Sequence, residues 1–295
     1  MSSKASKKFP LLQEFIYFIK ERWSIHVKRS AGEPPPWTKD EILATYRFTN
    51  VMRNDDRVTK YIHGTWLLPH QEDLPTTIFA MCLARTVNLP SMLEELGYPH
   101  KWDPARFVKL MEARKAAGEH TYNNAYMINA VGAKKGQSKA SYLAASVLGP
   151  VWTVRRQLAA VALAESSLRA FHARFMQCHG FGGGFMAAQV VADLKYIAPL
   201  NRATDWHTFA YSGPGSRRGL NGLCGRDVKA RWNEEEWHAT LMELRGLVLP
   251  KLPVELRELS ASDLQNCLCE VGKYWKVKYD SKRAKQYFTS SKEAY

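Results

Sequence analysis

The sequence predicts an all-α fold, and three observations lead there. Apolar residues recur at helical spacing through most of the chain, as in Leu12, Phe15, Ile16, Ile19 and Trp23. Breaks between such stretches fall at Gly/Pro clusters, among them Gly32-Glu33-Pro34-Pro35-Pro36. At 45% hydrophobic over 295 residues, the chain also carries the apolar content for a substantial core, in one large domain or two small ones. One small extended or hairpin segment, Thr121 to Val131, is the expected exception.

Taken in order, a first helix is expected over Leu11 to Val27 and ends at the Gly32–Pro36 break. Thr38, with Glu41 three residues on, has the spacing of a capping box for the next helix. A helix over Thr45 to Tyr61 follows. After a Leu68-Pro69 turn come helices at Leu74 to Leu89, Ser91 to Leu96 and Pro104 to Ala117. Beyond Gly149-Pro150 a long helical run reaches Gln177, and a new apolar face starts with Phe185, Ala188, Ala192 and Tyr196. A Gly/Pro-rich span, Ala210 to Gly225, precedes two closing helices at Glu234 to Leu247 and Ser262 to Lys273. No internal repeat or clean linker is visible. The expected organisation is one helical unit over 1–295, with lobes at 10–145 and 146–275 and a basic tail at 276–295.

The net charge of +14, from 42 Lys and Arg against 28 Asp and Glu, favours a polyanionic partner, nucleic acid first. The five cysteines (Cys82, Cys178, Cys224, Cys267, Cys269) are odd in number and form no C-x-x-C pair. They read as free thiols in a reducing cytoplasm, not as a disulfide framework or a zinc site. No metal or cofactor is expected. No apolar run approaches the ~20 residues a membrane span needs. The short basic start, MSSKASKKFP, has no signal core after it and reads as a tail.

Glu21 to Arg57 concentrates the charge, with five arginines, two lysines and a Pro-Trp elbow. In a helix over Thr45 to Tyr61, about 100° per residue would place Arg47, Asn50, Arg53, Asn54 and Arg57 within roughly 120° of arc. Phe48, Val51 and Met52 would face the other way. Such a guanidinium and amide face suits a phosphate. On the same wheel Asp55 falls among apolar residues, so it should be buried and paired.

The second dense stretch is Ser166 to Tyr196. A helix marked by Leu168, Phe171, Phe175 and Met176 ends at Gly180-Phe181-Gly182, and another follows. A helix, glycine turn, helix arrangement exposes backbone N–H groups that can hold a DNA phosphate without reading sequence. The bland alternative is a glycine-rich helix connection. Downstream stands Asp205, either a helix cap or a catalytic carboxylate. The pairing of this hairpin with a later aspartate resembles helix-hairpin-helix DNA glycosylases, which act on a flipped base. Arg217 and Arg218, in the GPGSRRGLN block, are candidate phosphate contacts or residues of a solvated loop.

Two blocks, ER-x-x-I-x-x-KR-x-x-G-x-P-x-PWT at Glu21 to Thr38 and RF-x-NV-x-R-x-DDRVT at Arg47 to Thr59, carry a more specific likeness. Supporting motifs are AYMI at Ala125 to Ile128, Lys139, GFGGGFMAAQVVADL, GPGSRRGLN, and LCEVGKY at Leu268 to Tyr274. Together they resemble the alpha-glutamyl/putrescinyl thymine pyrophosphorylase family, some members of which are called amino acid:DNA transferases. The same region is also called the helical domain of 5-hydroxymethyluracil DNA kinases. The resemblance covers Phe15 to Phe288. It implies an all-helical, glycosylase-like fold acting in bacteriophage DNA hypermodification in the cytoplasm of the infected host. The implied substrate is double-stranded DNA carrying phosphorylated or pyrophosphorylated 5-hydroxymethyluracil, supplied by a 5-hydroxymethyluracil DNA kinase. The implied product carries an amine from an amino acid, such as glycine or glutamate, or from putrescine. No G-x-x-x-x-G-K-[ST] occurs in the chain, so the kinase reaction is not expected of these residues.

That chemistry sets out roles for the residues. Flipping the base costs a few kcal/mol, which the Gly180–Gly182 hairpin and basic loops would supply. Arg47, Arg53 and Arg57, with Asn50 and Lys139, would hold the leaving phosphate. A base must keep the amine neutral, with Asp205 first and Asp55 and Asp56 next. Asp55 orienting an arginine is an equal alternative. His179, His207, Cys178 and Cys224 have no pattern that singles them out. Two other function classes share the features: a DNA glycosylase acting on a modified base, and a non-catalytic DNA-binding module.

Overall fold

The computed structural model describes residues 7–123, 128, 130 and 132–280. Its elements are helical throughout, with no strand among the described residues. The expected extended segment and the AYMI motif lie largely on 124–127, 129 and 131, outside those residues, as does most of the expected basic tail. The chain forms two compact units, one from Met1–Asp56 with Ala210–Tyr295 and one from Arg57–Phe209. This partition differs from the lobes expected at 10–145 and 146–275. The reason lies inside the first unit, where the C-terminal helices share a core with the N-terminal one.

The first unit begins with α1 (Leu12–Ser30), which buries Leu12, Phe15, Ile16 and Ile19 of the expected face together with Phe18 and Ile25, while Trp23 is only partly buried. The chain turns away at Gly32, whose φ of +76° suits glycine. The short α2 (Glu41–Thr45) is capped by Asp40, which accepts the Leu43 N–H at 2.9 Å. Thr38 does not form the expected capping box, because its hydroxyl donates to Glu21 at 2.5 Å and accepts from Asp40 N at 3.0 Å.

The helix expected over Thr45 to Tyr61 forms only at its end, from Arg57 on. The backbone leaves α2 extended at Tyr46, and Arg53–Asp55 makes a single tight turn before Arg57. Side chains distant in sequence take the bonds a helix would have made. Arg22 donates to the carbonyls of Phe48 (3.2 Å) and Thr49 (3.2 Å), and Glu270 accepts the Thr49 N–H (3.1 Å). Asn266 donates to Thr49 Oγ1 (3.0 Å). A buried backbone needs partners, and here tertiary ones replace the i to i−4 ladder.

Among its described residues the second unit holds eight α-helices in chain order. They are α3 (Arg57–Ile62), running into a π-helical turn at His63–Leu67, α4 (Leu74–Val87), α5 (Pro90–Leu96), α6 (Pro104–Ala116), α7 (Lys139–Tyr142), α8 (Gly149–Ala164), α9 (Leu168–Phe175) and α10 (Phe185–Leu194). A second π-helical turn, Leu143–Leu148, joins α7 to α8. In α4 every residue but Pro75 is buried, which makes it the centre of this unit. The run expected from Gly149 to Gln177 breaks at Glu165, where the backbone goes extended, and α9 restarts with Ser167 as cap.

Back in the first unit come α11 (Pro214–Leu223), α12 (Glu234–Val248) and α13 (Ala261–Asp280). The Gly/Pro-rich span thus contains a helix, not a loop. Its glycines face α13 at backbone distance. A Cβ on Gly219 would fall 1.9 Å from the Leu268 carbonyl oxygen, and one on Gly215 2.8 Å from Cys269 Sγ. These glycines are there to admit a second helix. Around this pair Trp237, Leu241 and Leu244 of α12 join Phe15, Phe18 and Ile19 of α1 in one core.

Candidate functional site

In the first unit, residues from three of the quoted motifs converge on the segment Phe48–Asp56, which is extended except for the tight turn at Arg53–Asp55. Arg22 comes from the ER block, Asn50 and Asp56 from the DDRVT block, Glu270 and Lys273 from LCEVGKY. The Arg22 guanidinium also donates to Asn50 Oδ1 (3.3 Å). Asn50 N donates to Asp56 Oδ1 (3.0 Å), and its side-chain amide to the Asp55 carbonyl (2.9 Å). His26 meets Asp55 at 3.3 Å, and Lys273 pairs with Glu270 at 2.5 Å. Burial pulls Arg22 down to about 10, against the Glu270 and Asp56 carboxylates, which favour its charge.

This geometry revises the predicted arginine face. Arg53 is buried, and its backbone N–H donates to Asp263 (3.0 Å), so it sits in the framework. Arg47 is exposed on the extended stretch, and Arg57 is exposed at the start of the second unit. Without the helix, no single helical face carries all three. Asp55, expected buried, is only partly so, and His26 is among its partners. Nearby in the same unit, Arg217 is held by Ser212 (2.6 Å) and Glu234 (3.2 Å), while Arg218 is exposed on α11.

The second unit contains the glycine turn between α9 and α10. Phe181 is buried against Phe175, with ring centroids 4.9 Å apart, and anchors the turn as expected of the residue between the glycines. Gly180, at φ +86°, sits where a Cβ would meet Val147 at 2.9 Å. Gly182 and Gly183 are exposed, and their N–H groups make no hydrogen bond among the described residues. Asp205 binds the start of α9. Its carboxylate accepts from Leu168 N (2.7 Å), Arg169 N (2.9 Å) and Ser167 Oγ (2.9 Å). That is the capping alternative weighed above for this aspartate. Lys139 lies 4.4 Å from the centre of the Tyr122 ring, and burial lowers its pKa. His179 is bonded to the Tyr142 hydroxyl (3.0 Å) and His207 packs on Trp206. Burial raises the thiols of Cys178 and Cys224, the latter to about 11, so neither is poised as a thiolate nucleophile.

A buried polar array in the same unit escaped the sequence reading. Asp193 is fully buried and takes both Nε (2.5 Å) and Nη2 (2.6 Å) of buried Arg85. Arg85 further donates to Asn88 (3.1 Å) and Thr59 (3.1 Å). His63, at the π-helical turn, meets Asp193 through Nε2 at 3.0 Å. Thr59 and Asp193 belong to quoted motifs, which was the available signal. His63 and Arg85 sit singly among apolar residues and gave none. Among the described residues no His, Cys, Asp and Glu side chains cluster as a metal set, and no helix is long and apolar enough to cross a membrane.

A family model described as 5-hmdU DNA kinase, helical domain, matches residues 9–284. A 5-hmdU DNA kinase of Bacillus phage SP10 is 25% identical over 285 residues, covering 88% of this chain and 44% of that protein. The chain therefore spans less than half the length of this relative. No solved structure matches it. The motif blocks that the fold gathers into these two arrays thus run through a match spanning nearly all of the sequence, and the chain belongs to the 5-hmdU DNA kinase helical-domain family.

Proposed function

We propose that the protein is a DNA-modifying transferase of phage thymidine hypermodification. It replaces the phosphate or pyrophosphate on 5-hydroxymethyluracil in double-stranded DNA with an amine from an amino acid or polyamine. It would work in the infected host, downstream of the kinase activity that phosphorylates the base. One observation carries this reading. Arg22, Asn50, Asp56 and Glu270, from three separate motifs, gather on one segment that is bounded in sequence by the exposed Arg47 and Arg57. Exposed guanidiniums suit a departing phosphate. The free N–H groups of Gly182 and Gly183, with Arg218 and Lys139, suit the DNA backbone. The +14 charge fits the same polyanion.

The test is incubation with DNA carrying the phosphorylated base and each of a set of amines, followed by nucleoside mass analysis. A heavier nucleoside from intact DNA is expected, and Arg47→Ala should lower its yield at least ~10-fold. Abasic sites would instead establish a glycosylase, and unchanged nucleosides with retained binding a DNA-binding module. A second reading is favoured by the name of the phage relative: the helical domain presents DNA for phosphorylation. Label transferred from ATP to unphosphorylated 5-hydroxymethyluracil DNA would support it.

A further inference from the structure

We infer that His63 is the general base of the amine transfer, an inference that rests on the transferase reading above. Asp193 is fully buried, and both its oxygens are fixed by Arg85. Arg85 is in turn fixed by Asn88 and Thr59. The carboxylate therefore cannot rotate away from His63 Nε2, 3.0 Å from its Oδ1. An ionised carboxylate only accepts, so Nε2 carries the hydrogen, and in the neutral ring the lone pair falls on Nδ1. No hydrogen bond to Nδ1 is formed among the described residues. The His63 side chain keeps 12% exposure where Asp193 has none, so the imidazole is where this buried array meets solvent.

The surroundings suit a base lifted from a duplex. Tyr196 packs against the His63 ring (5.3 Å), Trp206 stands edge-on to Tyr196 (5.5 Å), and Lys195 Nζ lies 4.0 Å from the Trp206 ring. Lys195 is itself buried and steadies these rings, and the partly exposed Tyr196 and Trp206 are the surfaces that suit a stacked base. Packing alone explains the array poorly, because apolar residues of similar volume stabilise a core at least as well as a buried Arg–Asp pair. Asp205, whose oxygens are committed to α9, leaves the proton to another group. In the reaction, the amine nitrogen's lone pair forms the C–N bond to the exocyclic methylene. The C–O bond breaks, and its electron pair leaves with the phosphate. The proton released from nitrogen passes to His63 Nδ1. Asp193 is a positioning residue that holds the ring and its tautomer.

The experiment measures conversion of phosphorylated 5-hydroxymethyluracil DNA by the full chain with the amine that wild type uses. His63→Gln keeps a donor toward Asp193 but has no base. It should lower kcat at least ~100-fold, with the KM for DNA and the melting temperature little changed. His63→Ala should recover part of its rate when imidazole is added, a response that a structural histidine does not give. Asp193→Asn should lower kcat through the wrong tautomer. Wild-type conversion with H63Q within threefold of it overturns the inference and leaves the transferase reading standing. So does a loss in H63A that imidazole does not restore. Absence of any new nucleoside from wild type overturns the transferase reading itself.

Discussion

Asp205 accepts three hydrogen bonds at the start of one helix, and this geometry decides what it does best. From sequence the catalytic carboxylate was slightly favoured over a cap, although an aspartate after a glycine turn serves either role. Its partners Ser167, Leu168 and Arg169 lie almost forty positions earlier, and only folding brings them close. Replacing Asp205 with alanine should cost about 1–2 kcal/mol of stability, the range for a lost cap. Urea denaturation would measure it. At temperatures where the variant stays folded, product formation should persist; a collapse in rate with unchanged stability would return Asp205 to the chemistry. Arg53 makes the same point. Its spacing from Arg47 and Arg57 was legible, but its burial and the Asp263 bond to its backbone were not.

Between elements, α11 and α13 approach closely across Gly215, Gly219 and Gly222. Glycine and proline content suggested a loop there. The i, i+4, i+7 spacing of the glycines, however, is helical, and it could have been read as a helix face open to a neighbour. Gly219→Ala would place a methyl 1.9 Å from the Leu268 carbonyl oxygen, which belongs to backbone and cannot swing aside. The expected loss is at least about 3 kcal/mol, seen as a lower denaturation midpoint. Gly246→Ala, whose Cβ would meet nothing, is the control and should change little. Helices with a clear apolar face and a proline start, such as α4, α5 and α6, were found within a few residues of their ends. The segment from Tyr46 to Asp56 was misread as helix because its hydrogen-bond partners, Arg22, Asn266 and Glu270, are far away in sequence. Local propensity carries no record of such partners.

At the scale of the whole molecule, the chain builds part of one unit, completes a second, and returns to finish the first. Its charge of +14 belongs to both. If six or more phosphates are engaged, DNA affinity should fall ~1,000-fold or more between about 50 and about 200 mM salt. Arg218→Ala should make the slope of log affinity against log salt shallower by about 1. Fluorescence anisotropy at several salt concentrations reads both, and a flat salt response would argue against a DNA partner. The all-helical class, the basic surface and the family were determined by the sequence alone, because helical periodicity, charge and motif spacing are local or additive properties. Tertiary structure alone decided which motif residues meet. Arg22 and Glu270 meet on Thr49, Asp193 pins His63, and Asp205 turns to α9, because buried polar groups take whatever partner the fold supplies, at any distance along the chain.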